Sequence, residues 1–143
     1  MPIKSQLYKI TEPDPLTDYN LSGTGKKKLV VVVDSNGFDI MVKELLSKMM
    51  QAIHYDLSAD VYLIVISNTT HISLNCIIDK WDNLILFGIS PDRVGININY
   101  QSYSVLPMDN KRVLFADDLK TIGADAVKKQ RLWSVFQTMF LKG

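Results

Sequence analysis

The feature that most constrains the fold is an unbroken run of five apolar residues at positions 29–33, four of them valine. A strand with one face in water alternates apolar and polar residues, whereas this run contains no polar residue. Such a run is typical of a central strand that is covered on both faces, as in a parallel sheet between two layers of helices. The sequence therefore predicts that residues 29–33 form the central strand of an α/β domain.

Strand patterns and helix patterns alternate along the rest of the chain. Apolar runs predict further strands at 61–66, 84–87 and 113–116, and apolar residues at helical spacing predict helices at 39–54, 72–81 and 124–141. Residues 94–106 mix β-branched residues with Asn, Gln and Ser and favour neither a strand nor a helix. Alternating strands and helices indicate βαβ crossovers. The predicted fold class is therefore α/β, as a three-layer α/β/α sandwich with a mostly parallel sheet of about four strands.

The chain divides at about residue 28. Residues 1–28 contain proline and glycine breakers and a run of three lysines at positions 26–28, which is typical of a connecting arm. Residues 29–143 carry all the predicted core elements, and their number fits one domain. We expect an N-terminal arm over 1–28 and a single α/β domain over 29–143.

Two long helices have one apolar face each, and these faces predict the core. The residues predicted to point inward are Val42, Leu45, Leu46, Met49 and Ile53 in the first helix, and Val127, Leu132, Val135, Phe136, Met139 and Phe140 in the last. Trp133 lies in the last helix and is predicted to anchor it against the sheet or a neighbouring helix, because large aromatic side chains dominate core packing.

Composition and charge exclude several classes of protein. A net charge of +1 lacks the basic excess of a dedicated nucleic-acid binder. Cys76 is the only cysteine, which excludes an intramolecular disulfide and a cysteine-rich zinc site. The N-terminus lacks the apolar stretch of a signal peptide, and the apolar runs are too short to span a bilayer. We expect a cytoplasmic protein without a metal, a cofactor or a membrane partner.

Residues 23–26, Gly-Thr-Gly-Lys, hint at a phosphate-binding P-loop. That motif needs an earlier glycine at position 20 and Ser or Thr at position 27, where this chain has Asn20 and Lys27. A P-loop also follows a strand, whereas this segment precedes one. The segment is interpreted as a linker.

Polar side chains follow each predicted strand, at the edge where parallel α/β sheets bind ligands. Asp34, His71 and Asp117 are the candidate catalytic residues, because carboxylates and imidazole can activate water there. The candidate ligand-binding residues are Ser35, Asn36, Asn68, Ser90 and Arg93. The alternative for the aspartates is structural, since Asp34 and Asp118 each precede a predicted helix that they would cap.

The last third of the chain resembles the uracil-DNA-glycosylase-like fold, and within it the psi-subunit-type members associated with the DNA polymerase III clamp loader. A strand ending in Leu-Phe-Gly, a later strand ending in Ala-Asp-Asp-Leu and a helix containing Leu-Trp carry the resemblance. The residues concerned are Leu86, Phe87, Gly88, Phe115, Asp117, Leu119, Arg131, Leu132, Trp133, Gln137 and Phe140.

The resemblance implies a four-stranded, mainly parallel sheet and a non-enzymatic role. Active uracil glycosylases carry a water-activating Gly-Gln-Asp-Pro-Tyr-His-type motif after the first strand, where this chain has Asp34 but no following proline or aromatic clamp. They carry a His-Pro-Ser-type loop after the last strand, where this chain has Asp117 and Asp118 and no histidine. The partner that the resemblance implies is therefore another protein, of the replication machinery.

Three functional hypotheses remain open at this point. The first is a non-enzymatic protein-interaction domain, which the resemblance specifies as a DNA replication accessory subunit. The second is a small hydrolase or glycosylase-like enzyme that uses Asp34, His71 and Asp117. The third is a domain that binds a small ligand without chemistry. A convergent pocket would favour the second, and an exposed apolar surface the first.

Overall fold

The computed structural model describes residues 19–67, 71–78, 80–97 and 99–141. Its strands are β1 Tyr19–Ser22, β2 Leu29–Asp34, β3 Val61–Ile66, β4 Asn83–Phe87, β5 Val105–Met108 and β6 Lys111–Ala116. Its helices are α1 Ile40–Ala52, α2 Leu74–Ile77, α3 Leu119–Gly123 and α4 Ala126–Phe136. A 3₁₀ turn spans Pro91–Val94, and a π-helical turn, Gln137–Leu141, extends α4.

The sheet is mixed and has six strands in the order β1-β3-β2-β4-β6-β5. The prediction of a sheet of about four strands is therefore wrong in its strand number. The four predicted strands lie side by side and are parallel, while β1 and β5 pair antiparallel at the two edges. The two edge strands carry only weak sequence signals for a strand. The residues of β1 are mostly exposed, and β5 contains Pro107, which a central strand would not tolerate.

Strand β2 is the buried centre of the sheet, as its apolar run predicts. It pairs with β3 on one side and β4 on the other, and residues 29–33 are at most 2% exposed. Leu29, Val31 and Val33 join the core beneath α1, α3 and α4, whereas Val30 and Val32 join a second core beneath α2 and the 3₁₀ turn. Both faces of the sheet are thus apolar and covered, which establishes the general α/β class.

Part of the predicted N-terminal arm belongs to the sheet. Residues 1–18 lie outside the described residues, but Tyr19–Ser22 form β1 along β3. The loop after β1 is fixed by backbone hydrogen bonds from Thr24, Lys26 and Lys27 to the carbonyls of residues 58–60. Gly25 has a φ of 61° and packs directly against the ring of Tyr62, where a Cβ atom would clash.

Aspartates cap α1, α3 and α4, but only one of the two aspartates predicted to cap a helix is among them. Asp118 caps α3 by accepting from the N–H of Thr121 (3.1 Å), as expected. Asp39, not Asp34, caps α1 through the N–H of Val42 (2.9 Å). Asp125 caps α4 through the N–H groups of Val127 and Lys128. Asp34 is therefore left for a different role.

One of the residues predicted to face inward from the last helix is exposed. Leu132, Phe136 and Met139 are buried as predicted, but Val127, in the first turn of α4, is 68% exposed, so the prediction for it is wrong. Trp133 is 38% exposed and lines the groove between α4 and the neighbouring α1.

The helix predicted over 72–81 is shorter than expected. Only Leu74–Ile77 are helical, and the chain is extended by residue 78. Trp81 is nonetheless buried, and its indole N–H donates to the side-chain oxygen of Asn75 (3.3 Å). This short α2 and the 3₁₀ turn therefore cover the second face of the sheet through a few large side chains, not through a long helix.

Candidate functional site

The carboxyl ends of four parallel strands meet at one edge of the sheet and define the candidate site. The chain leaves β2 toward β3 on one side and later returns to β4 on the other side of β2. Open α/β sheets bind ligands at such a reversal, because the loops after the two strands part and leave a crevice. The loops after β2 and β4 contain most of the predicted site residues.

Asp34, at the end of β2, is held by two contacts. Its Oδ2 forms an ion pair with Nη1 of Arg93 (3.2 Å), and its Oδ1 accepts from the backbone N–H of Asn36 (2.9 Å). The two charged side chains are 18% and 15% exposed. Asp34 thus fixes the turn after β2 and pairs with a largely buried guanidinium.

Arg93 connects three loops at this edge. It lies in the 3₁₀ turn after β4, contacts Asp34 after β2, and donates from Nη2 to the carbonyl of Ser67 after β3 (2.9 Å). The backbone N–H of Ser35 adds a bond to the carbonyl of Ile66 (2.8 Å). The predicted ligand residues Ser35, Asn36 and Arg93 are therefore brought together, but by contacts with the protein itself.

Asp117, at the end of β6, is also engaged. Its Oδ2 accepts from the hydroxyl of Tyr103 (2.8 Å) and lies 3.2 Å from Nζ of Lys128. The guanidinium of Arg131 lies over the Tyr103 ring, 5.1 Å from its centroid. Tyr103 has a φ of 61°, unusual for a bulky residue, and its N–H donates to the carbonyl of Phe115 (2.7 Å).

This group, which we term the Tyr103 latch (Tyr103, Asp117, Lys128 and Arg131), joins the loop before β5 to α4. Burial raises the pKa of the Tyr103 hydroxyl from 10.0 to about 12, and the hydrogen bond to Asp117 adds to the rise. A phenol with so high a pKa stays protonated and donates permanently. The latch therefore stabilises a strained loop.

The open crevice at the strand ends has a volume of about 380 Å³ and is lined by Asp34, Asn36, Gly37, Asp118 and Lys120. Both carboxylate oxygens of Asp118 are occupied, since they accept from the N–H (3.1 Å) and the hydroxyl (2.7 Å) of Thr121. Lys120 lies beside Gly37 and contributes the cation of the crevice. No sequence pattern indicates Lys120, because it follows no motif and its position depends on how α3 meets the β2 loop.

Of the remaining predicted residues, His71 is exposed and Ser90 is half-buried. A hydrogen bond from the Ser90 side chain lowers the pKa of Asp92. Asn68 lies outside the described residues.

The candidate catalytic residues do not converge. Asp34 pairs with Arg93, Asp117 pairs with Tyr103 and Lys128, and no hydrogen bond joins His71 to either aspartate within the described part of the chain. In that same part, no group of three His, Cys, Asp or Glu side chains could hold a metal ion. Nucleophilic or general-base catalysis needs a base within hydrogen-bond reach of its target, and each of these carboxylates is already neutralised by a cation.

A second concave surface, which the sequence does not predict, lies on the face of the sheet that α1 and α4 cover. It is a groove of about 260 Å³ between α1 and α4, which we term the α1–α4 groove, lined by Leu45, Lys48, Met49, Ala52, Lys129, Leu132, Trp133 and Phe136. The sequence predicts Trp133 as an anchor against the sheet or a neighbouring helix, but an aromatic residue at helical spacing does not reveal how far apart two helices lie.

Comparison with known proteins gives no family for this chain: no family model matches it, and no curated protein matches it significantly. Among the described residues, no helix is long and apolar enough to cross a bilayer.

Proposed function

We propose that this chain is a non-enzymatic protein-interaction domain with a uracil-DNA-glycosylase-like fold, and that it serves as an accessory subunit of the DNA replication machinery. The observation that carries the non-enzymatic part is the internal pairing of the strand-end carboxylates. Asp34 and Asp117, two of the three candidate catalytic residues, each contact a cation of the protein itself. A site built for hydrolysis would leave at least one of these two carboxylates without such an ion pair.

The core of the sheet supports the fold assignment within this proposal. Strands β3, β2, β4 and β6 are adjacent and parallel, and each face of the sheet carries its own apolar core. This is the arrangement that a four-stranded parallel sheet of a three-layer sandwich would have, with β1 and β5 as additions at its edges. The replication role rests on the resemblance of the last third of the chain, and the reducing cytoplasm expected from a single cysteine is compatible with it.

The surface formed by α1 and α4 supports the interaction role. Trp133 is 38% exposed beside a packed apolar groove, and tryptophan is the residue most enriched where partner proteins bind. Ile40 and Met41 are each about three-quarters exposed at the start of α1. Exposed large apolar side chains on a folded surface mark sites of association.

The test is affinity capture of the tagged full-length protein from its native cells, with a tagged α/β protein of similar size as control. We expect replication polypeptides to co-purify in a fixed ratio with the tagged chain and not with the control. Recovery of a fixed partner that has no role in replication would contradict the replication assignment. Recovery of no partner at all would contradict the interaction role itself.

A further inference from the structure

The floor of the α1–α4 groove is buried, and its walls are only partly covered. Leu132 and Phe136 are almost fully buried and form the floor, while Leu45 and Met49 are half-buried on α1 and Trp133 stands on α4. Phe136 is held from behind by Phe140, with ring centroids 5.7 Å apart, and Phe140 in turn contacts Tyr55. The groove is therefore preformed, so that a partner binding there would not have to order it first.

The lining residues repeat at helical spacing on both walls. On α1 they are Leu45, Lys48, Met49 and Ala52, and on α4 they are Lys129, Leu132, Trp133 and Phe136. Each set spans eight residues, or seven steps along the helix, which corresponds to about two helical turns, or roughly 10 Å. A surface of this length between two helices matches the apolar face of a third helix, whose anchors recur at i, i+3 or i+4, and i+7.

Among the described residues that line the groove, the charged side chains have a single sign. They are Lys48 on α1 and Lys129 on α4, both exposed, and none of these lining residues is a carboxylate. The other large cleft, about 390 Å³ between β1 and α1, differs in this respect because Lys43, Glu44 and Asp56 give it both signs. A second copy of the same groove would bring like charges together, which disfavours self-association through it.

We propose that the α1–α4 groove binds an amphipathic helix of a partner protein that carries acidic residues along both borders of its apolar face. This inference rests on the proposed interaction function and specifies the partner's chemistry. The apolar anchors cover Trp133 and fill the groove above Leu132 and Phe136. The flanking carboxylates pair with Lys48 and Lys129, which fixes orientation and accelerates association.

The probe is a fluorescein-labelled synthetic helix of about 16 residues, long enough to become helical once bound, with leucines at i, i+3, i+4 and i+7 and glutamates on both borders. Its matched control has lysines in place of the glutamates. Binding to the full-length protein is followed by fluorescence anisotropy of the label. We expect the glutamate peptide to bind at least about tenfold more tightly than the lysine peptide, the effect of roughly one favourable charge pair on each border.

Three variants locate the binding. Lys48→Glu combined with Lys129→Glu should reverse the preference and favour the lysine peptide. Trp133→Ala should weaken both peptides by about tenfold or more, as removal of an interface anchor does. Lys80→Glu changes an exposed lysine on the other face of the sheet and should leave both affinities unchanged. Circular dichroism of each variant checks that the fold is intact.

The proposal is overturned if the two peptides bind equally well, or if the double charge reversal does not exchange their order. It is also overturned if Lys80→Glu weakens binding as much as the groove variants do. Failure of the groove is distinguishable from failure of the interaction function. A partner captured from cells equally by the wild type and by the double charge-reversal variant would leave the function standing and place its surface elsewhere.

Discussion

Arg93 shows how single residues at the strand ends act on stability. It neutralises Asp34 at 3.2 Å and reaches the carbonyl of Ser67 at 2.9 Å, and it is only 15% exposed. Arg93→Gln removes the charge and leaves the carboxylate of Asp34 partly buried without it. We expect the free energy of unfolding to fall by about 1–3 kcal/mol, the usual cost of losing hydrogen bonds to charged groups.

Urea denaturation measures this loss, with the exposed Lys80→Gln as the control for removing one cation. The control should stay within about 0.5 kcal/mol of the wild type. An Arg93→Gln protein as stable as that control would mean that the Asp34 pair does not hold the strand ends together.

Tyr103 makes stability depend on alkaline pH. Its pKa is raised to about 12 in the folded chain, mainly by burial, against 10.0 for a free tyrosine. Because the folded state keeps the proton longer than the unfolded state, the stabilisation is complete below pH 10 and is lost as the pH rises through about 12. Tyr103→Phe cannot ionise and should lack this loss between the two values.

Absorbance of tyrosinate follows the ionisation directly. The wild type should show one tyrosine titrating near pH 12 that is missing from the Tyr103→Phe spectrum. If the difference between the two titration curves is centred near pH 10 instead, the hydroxyl is not held in the latch with Asp117.

At the scale of elements, the start of α4 depends on Asp125. Its Oδ1 accepts from the N–H groups of Val127 (2.9 Å) and Lys128 (3.2 Å), which have no partner within the helix. Asp125→Ala should lower the free energy of unfolding by about 1 kcal/mol, within the usual range of about 0.5–2 kcal/mol for a lost N-cap. Asp82→Ala, at an exposed position before β4, is the matched control in thermal or urea denaturation. Equal midpoints for the two variants would exclude a capping role.

The sequence predicts best those elements whose own residues determine whether they are buried. The apolar run of β2 can only be stable when both faces are covered, and it is. The edge strands β1 and β5 could not be found this way, since half-exposed positions accept polar residues, and their pairing is decided by β3 and β6. The short α2 was overestimated because its apolar spacing is also satisfied by an extended chain that carries Trp81 into the core.

At the scale of the whole molecule, sequence predicts where polar groups gather but not what they contact. Parallel strands bring Asp34, Arg93 and their neighbours to one edge, as their positions after the strands imply. Arg93 and Asp34 are 59 positions apart in the sequence. Their contact depends on the angle of the 3₁₀ turn after β4, which no local sequence pattern encodes. The same holds for the α1–α4 groove, whose width is set by how two helices pack on the sheet.

The central proposal is that the charges at the carboxyl edge of the sheet hold the strand ends together and do not serve catalysis. Excision of uracil would need a group that activates water and a donor that stabilises the leaving base. The most direct measurement incubates the purified protein with labelled single- and double-stranded oligonucleotides that contain uracil and assays for abasic sites. We predict no turnover above buffer, together with a lower unfolding midpoint for Asp34→Asn, because the ion pair with Arg93 is lost. Turnover by the wild type that disappears in a folded Asp34→Asn variant would contradict the account.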